Sequence, residues 1–97
     1  MSIVIVGGHD RMHRQYKDIC KEFGCKCKVF TQYPAKMKEK IGTPDLMVLF
    51  TNTVSHKMTS VAVEQARKNH TIVERYHSSS AAALQEILKK YCAEGNS

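Results

Sequence analysis

The chain has 97 residues, of which 42% are hydrophobic and 25% charged, and it carries a formal net charge of +6. That length suits one domain with a real core, without help from disulfides or a structural metal. No apolar run approaches the roughly 20 residues that cross a bilayer, and no basic segment leads into an apolar stretch as in a signal peptide. The membrane is therefore excluded as a partner, and a cytoplasmic location is expected.

The first strand, Ser2 to Val6, is almost continuously apolar, as in a strand buried on both faces. It runs into Gly7-Gly8-His9-Asp10-Arg11, a glycine pair followed by charge, where the backbone can turn tightly and approach a ligand. A first helix, about Met12 to Phe23, places Met12, Tyr16, Ile19, Cys20 and Phe23 on one stripe. Arg11, Arg14, Lys17 and Lys21 fall on the opposite, basic side, and Gly24 ends the helix. Lys26 to Thr31 reads as a second strand centred on Val29 and Phe30.

Pro34 opens a short helix, about Ala35 to Ile41, which Gly42 and Pro44 close. Leu46 to Phe50 is the most hydrophobic run and is expected at the centre of the sheet. The third helix, about Lys57 to Lys68, buries Met58, Val61, Ala62 and Ala66. Thr71 to Tyr76 is a weaker strand, interrupted by Glu74 and Arg75, and is expected at a sheet edge. His77-Ser78-Ser79-Ser80 caps a last helix, about Ala81 to Tyr91, and residues 93–97 read as a frayed tail. Strands alternating with helices through short connections predict a single α/β domain over residues 1–92. It is a small three-layer, Rossmann/flavodoxin-like parallel sheet with strand order 2-1-3-4.

Charge and cysteine usage narrow the chemistry. The lysines are mostly interspersed with acids, as in Lys36-Met37-Lys38-Glu39-Lys40, a pattern of solvated faces. Nucleic acid remains possible through the basic helix face but is not favoured, because no nucleic-acid-binding motif accompanies the charge. Cys20, Cys25, Cys27 and Cys92 read as thiols in a reducing compartment. Only Cys25 and Cys27 are close in sequence, and a zinc site would need two more ligands.

Three loops are expected to converge at the carboxyl ends of the strands: Gly7 to Arg11, Asn52 to His56, and His77 to Ser80. Each leads to a helix start, where unpaired N–H groups and the helix dipole attract anions. Ser55 and Ser78 to Ser80 are equally suited to be plain N-caps. His9, His56 and His77 all fall in these loops, and His13 follows one turn later. The P-loop motif and G-x-G-x-x-G are both absent. Asn52 rather than an acid ends the third strand, which argues against a phospho-accepting receiver. No strand-end cysteine has a nearby arginine, against a thiol phosphatase, and adjacent Ser55-His56 is not a nucleophile elbow.

With Gly7-Gly8-His9-Asp10-Arg11-Met12, Thr53-Val54-Ser55-His56 and Ser78-Ser79-Ser80 in this order, the chain resembles a bacterial family catalogued as domain of unknown function 2325. The resemblance spans roughly residues 3 to 90. Many relatives carry arginine at the position of His9, an acid at that of Lys57, and a Leu-Arg pair near Tyr76-His77. The chain looks like the single-domain branch with histidine in the glycine loop, which implies a histidine-dependent function. The family implies a compact α/β fold and no settled enzymatic activity.

The function expected from these residues is binding of an anionic small-molecule cofactor, with haem the sharpest candidate and catalysis not favoured. Haem needs an axial imidazole or sulfur, an apolar slot and partners for two propionates. His9, or failing that His13, would ligate the metal, with Met12 or a cysteine as a sulfur ligand. Arg11, Ser55, His56, His77, Ser78, Ser79 and Ser80 would surround the anionic groups. A domain this small would enclose haem between two copies, so a homodimer is expected. A phosphate-bearing ligand or nucleotide on the same helix starts, a nucleic-acid or protein interaction module, and a bare metal site at His9, His13 and His56 are the alternatives.

Overall fold

A computed structural model describes residues 1–92; the tail at 93–97 lies outside the described residues. Four strands, β1 (Ser2–Val6), β2 (Lys26–Phe30), β3 (Leu46–Phe50) and β4 (Ile72–Tyr76), form one sheet in the order β2-β1-β3-β4. Every pairing is parallel, with Ile5 opposite Val29 on one side and Val48 on the other. The helices between them are α1 (His13–Glu22), α2 (Met37–Ile41), α3 (His56–Lys68) and α4 (Ala81–Cys92).

The two-residue period of a strand sorts the sheet's side chains into two cores. Ile3 and Ile5 of β1, with Leu46, Val48 and Phe50 of β3, face α1 and α4. Val4, Val6, Met47 and Leu49 face α2 and α3, where Met37, Ile41, Met58, Ala62 and Ala66 complete the second cluster. Both central strands are buried along almost their whole length, as their apolar runs require. β2 and β4 are the edges and carry the charge: Lys26 and Lys28 on one, Glu74 and Arg75 on the other. Glu74 is held from α4, accepting a hydrogen bond from the Tyr91 hydroxyl at 2.6 Å with the Lys90 ammonium 3.6 Å away.

Element boundaries shift by one or two residues from those expected. A 3-10 turn over Asp10–Met12 precedes α1, because the Met12 N–H donates to the His9 carbonyl at 2.8 Å. α2 begins at Met37 rather than Ala35, since Lys36 adopts a left-handed conformation at φ 55°. α3 starts at His56 behind a true N-cap, the Ser55 hydroxyl accepting from the Met58 N–H at 3.2 Å.

Tyr16 of α1 braces the carboxyl end of the sheet. Its ring is fully buried, 5.4 Å from the Phe50 ring between centroids, and its hydroxyl donates to the Ser79 carbonyl just before α4. Burial holds this phenol above its ordinary pKa, so it remains a donor. Tyr16→Phe keeps the ring and deletes the donor, leaving the Ser79 carbonyl buried beside an apolar edge. Urea denaturation is expected to show a loss of about 1–3 kcal/mol, and an unchanged midpoint would contradict the brace.

Candidate functional site

The glycine loop is fastened to its neighbours from three directions. The Gly7 N–H donates to the Phe30 carbonyl at 2.9 Å, which continues the β1–β2 ladder by one residue. The Gly8 N–H donates to the Thr53 hydroxyl at 2.6 Å, joining this loop to the one after β3. Asp10 accepts from the Thr31 hydroxyl and, at 2.7 Å, from the Gln32 amide, joining it to the end of β2. These two hydrogen bonds, led by Thr31, hold the Asp10 carboxyl below its ordinary pKa, and His13 and His9 add smaller electrostatic contributions. Gly7 and Gly8 sit at φ +103° and +91°, where side-chain-bearing residues are strained.

The crevice where strand order reverses, between the loops after β1 and β3, is the usual ligand position in such sheets. Here a hydrogen bond crosses it. The Gly8 amide, which could have met an anion, is spent on Thr53, and any Cβ on Gly8 would lie 2.6 Å from the Tyr16 ring. Most of the expected serines are committed in the same way. Ser55 caps α3, and Ser80 caps α4 by accepting from the Ala83 N–H at 3.1 Å. Ser78 accepts from the Ser80 N–H at 3.3 Å, and Ser79 is buried.

The histidines divide. His9, His56 and His77 are exposed, while His13 is half-buried at the start of α1. Arg11 is exposed, and Met12 is half-buried and packs against the core under α1 and α4. Among the described residues no group of three or more His, Cys, Asp or Glu side chains is placed to hold a metal ion. A bare metal site at His9, His13 and His56 is therefore not assembled. No buried side-chain nitrogen or oxygen among the described residues lacks a hydrogen-bond partner.

The surface offers a groove of about 320 Å³ lined by His13, Lys17, Lys28, Val29, Phe30 and Lys40. His13 and Lys17 are one turn apart on α1, which puts them on the same side of the helix. Lys28, Val29 and Phe30 come from the edge strand β2, and Lys40 from the last turn of α2. The Lys28 ammonium is steadied by donating to the Lys40 carbonyl at 2.9 Å. The groove thus combines one imidazole, three ammonium groups and an apolar floor, and no carboxylate lines it. Of the residues expected at the site, only His13 is in it. Lys17 was legible only as part of a basic face. Lys28 went unread, although it alternates with Cys27 and Val29 on the charged phase of β2, and Lys40 is brought in by tertiary packing alone.

A model of the family described as an uncharacterized protein conserved in bacteria (DUF2325) matches residues 2–91. No curated protein matches the chain. Two solved structures are similar, both de novo designed Rossmann folds. The solution NMR structure of a designed Rossmann 2x2 fold is 13% identical with a TM-score of 0.63, covering 100% of this chain and 92% of its own. A second designed Rossmann fold protein is also 13% identical, with a TM-score of 0.61, covering 96% of this chain and 99% of its own. At that identity they speak for the fold alone, and both are Rossmann folds, as the parallel α/β sheet here is.

Gly8→Ala tests the packing of the loop. It adds a Cβ in a left-handed conformation against a buried ring, so thermal or urea denaturation is expected to show a loss of about 2–5 kcal/mol. Near-wild-type stability would mean that the loop can move away from Tyr16.

Proposed function

The chain belongs to the DUF2325 family, and on that footing we propose that it binds an anionic, amphipathic cofactor of the haem class in the groove beside His13. The observation that carries this reading is the coincidence of His13, three lysines and the Val29–Phe30 floor in one groove. A haem-like ligand requires an axial imidazole, apolar contact for its ring and cations for its carboxylates. His13 supplies the first, and Lys17, Lys28 and Lys40 the last. His9, exposed and within electrostatic reach of Asp10, is the second-choice axial nitrogen.

The groove is open, so one copy of the chain covers one side of such a ligand. A second copy would cover the other side, which makes a ligand-linked homodimer part of the proposal. Binding rather than catalysis fits the residues: the groove holds no carboxylate or thiol to act on a substrate. The same three lysines would also suit a phosphate-bearing ligand, and that reading needs no axial histidine.

Haemin titration followed in the Soret band distinguishes them. The wild-type protein is expected to give a saturable Soret shift that His13→Ala abolishes and His9→Ala alters less. Replacing Lys17, Lys28 or Lys40 by alanine is expected to weaken binding by roughly two- to fivefold each, the scale of an exposed ion pair. A shift that survives in His13→Ala would remove His13 as the axial ligand. Thermal stabilisation by nucleotides with none by haemin would replace this reading with the phosphate one.

A further inference from the structure

Cys20, Cys25 and Cys27, close in sequence, and the distant Cys92 gather near the amino-terminal ends of β1 and β2. Cys20 lies near the end of α1, Cys25 just before β2, Cys27 within it, and Cys92 at the end of α4. The Cys25 and Cys92 sulfurs are 3.2 Å apart, and the Met1 thioether lies 3.6 Å from the Cys92 sulfur. Cys20 and Cys27 form a second hydrogen-bonded pair. No disulfide joins any of them. As they stand, these sulfurs do not form a metal-holding group.

From the Cys25–Cys92 contact we propose that these two thiols are a redox modification site, oxidised by a hydroperoxide to a disulfide that fastens the end of α4 to the start of β2. The sulfurs need to close from 3.2 Å to about 2.05 Å, a movement within the reach of side-chain rotation at a helix end. Cys25 is half-exposed and meets the oxidant, while Cys92 is buried behind it. The Cys25 sulfur, after losing its proton, attacks the peroxide O–O bond. That bond breaks, one oxygen stays on Cys25 as a sulfenic acid, and the other leaves as hydroxide or alkoxide, taking up a proton. The Cys92 sulfur then attacks the sulfenic sulfur, the S–O bond breaks, and the departing hydroxide takes the Cys92 proton to become water. Two electrons and two protons pass from the thiols to the peroxide, so each bridge consumes one hydroperoxide.

Burial, and then the hydrogen bond with Cys25, push the Cys92 thiol up to about 12. Cys92 is therefore protonated at neutral pH, which suits the resolving partner rather than the first nucleophile. The neighbouring pair differs in kind. The Cys20 thiol donates to Cys27, which lowers Cys27 and raises Cys20, and the Lys17 charge lowers Cys27 further. Cys20 is fully buried and Cys27 is half-buried, as Cys25 is, so each pair sets one partly exposed sulfur against one buried sulfur, and the mapping below tells them apart. The bridge would span 67 positions of sequence and so restrict most of the unfolded chain.

The test treats the full chain with one equivalent of hydrogen peroxide at neutral pH, alkylates the remaining thiols, and maps peptides by mass spectrometry without reductant. The expected result is loss of two of the four thiols and a Cys25–Cys92 cross-linked peptide two hydrogens lighter than its parts. Dithiothreitol should reverse it, and the oxidised protein should melt several degrees higher. Cys25→Ser and Cys92→Ser should each lose the cross-link, while Cys27→Ser should keep it. A Cys20–Cys27 bridge, a disulfide between two copies, sulfinic acid at Cys25 in place of the bridge, or four unreacted thiols would each overturn the proposal.

Discussion

The packing of Gly8 on Tyr16 is the constraint on which the carboxyl end of this sheet depends. Because position 8 has no side chain, the Tyr16 ring can lie against the turn that leaves β1; a Cβ there would be 2.6 Å from the ring. From that place the hydroxyl reaches Ser79 ahead of α4, and the ring meets Phe50 at the end of β3. One tyrosine therefore ties α1, the glycine turn, the central strand and the last helix together. The Gly8 N–H bond to Thr53 closes the same set of loops from the other face. A polar group at the centre of such a cluster is tolerable only because it is paired; unpaired, it would cost about 1–3 kcal/mol.

Most of this fold is legible in the sequence because its strongest signals are periodic. Val4 and Val6 alternate with Ile3 and Ile5, and both phases are apolar, which only a strand covered by helices on both faces requires. The interrupted fourth strand reads as an edge because Glu74 and Arg75 need solvent or a partner, and Glu74 finds Tyr91 and Lys90. What sequence could not reach was set by single hydrogen bonds and backbone dihedrals. The 3-10 turn before α1 follows from one bond between His9 and Met12, and the late start of α2 from the left-handed Lys36.

The site was legible only in part, and the reason is that one residue type serves two purposes. Serine before a helix caps it and can also bind an anion; Ser55 and Ser80 are occupied by the first task. The histidines of the strand-end loops lie at the carboxyl end of the sheet, where the sequence reading put them. Yet it is His13, one turn beyond His9, that lines the groove beside β2. The lysines that complete the groove come from α1, β2 and α2, and no local pattern links Lys17, Lys28 and Lys40.

The displacement of the groove from the strand-reversal crevice to the sheet edge has a physical cause. At the crevice, Thr53 and Tyr16 supply the contacts that a ligand's polar and apolar groups would otherwise make. At the β2 edge, no further strand covers the chain, and the flanking lysines that discourage pairing with another sheet also leave positive charge exposed. The anionic ligand proposed above would answer both conditions, since it would neutralise the lysines and cover Val29 and Phe30 without offering a strand. α1 links this edge to the thiol cluster, with His13 and Lys17 at the groove and Cys20 near its far end. On β2, Lys28 of the groove follows directly after Cys27 of the thiol cluster. Groove and thiols thus share one helix–strand pair, α1 on β2, and any change that tightens that pair acts on both.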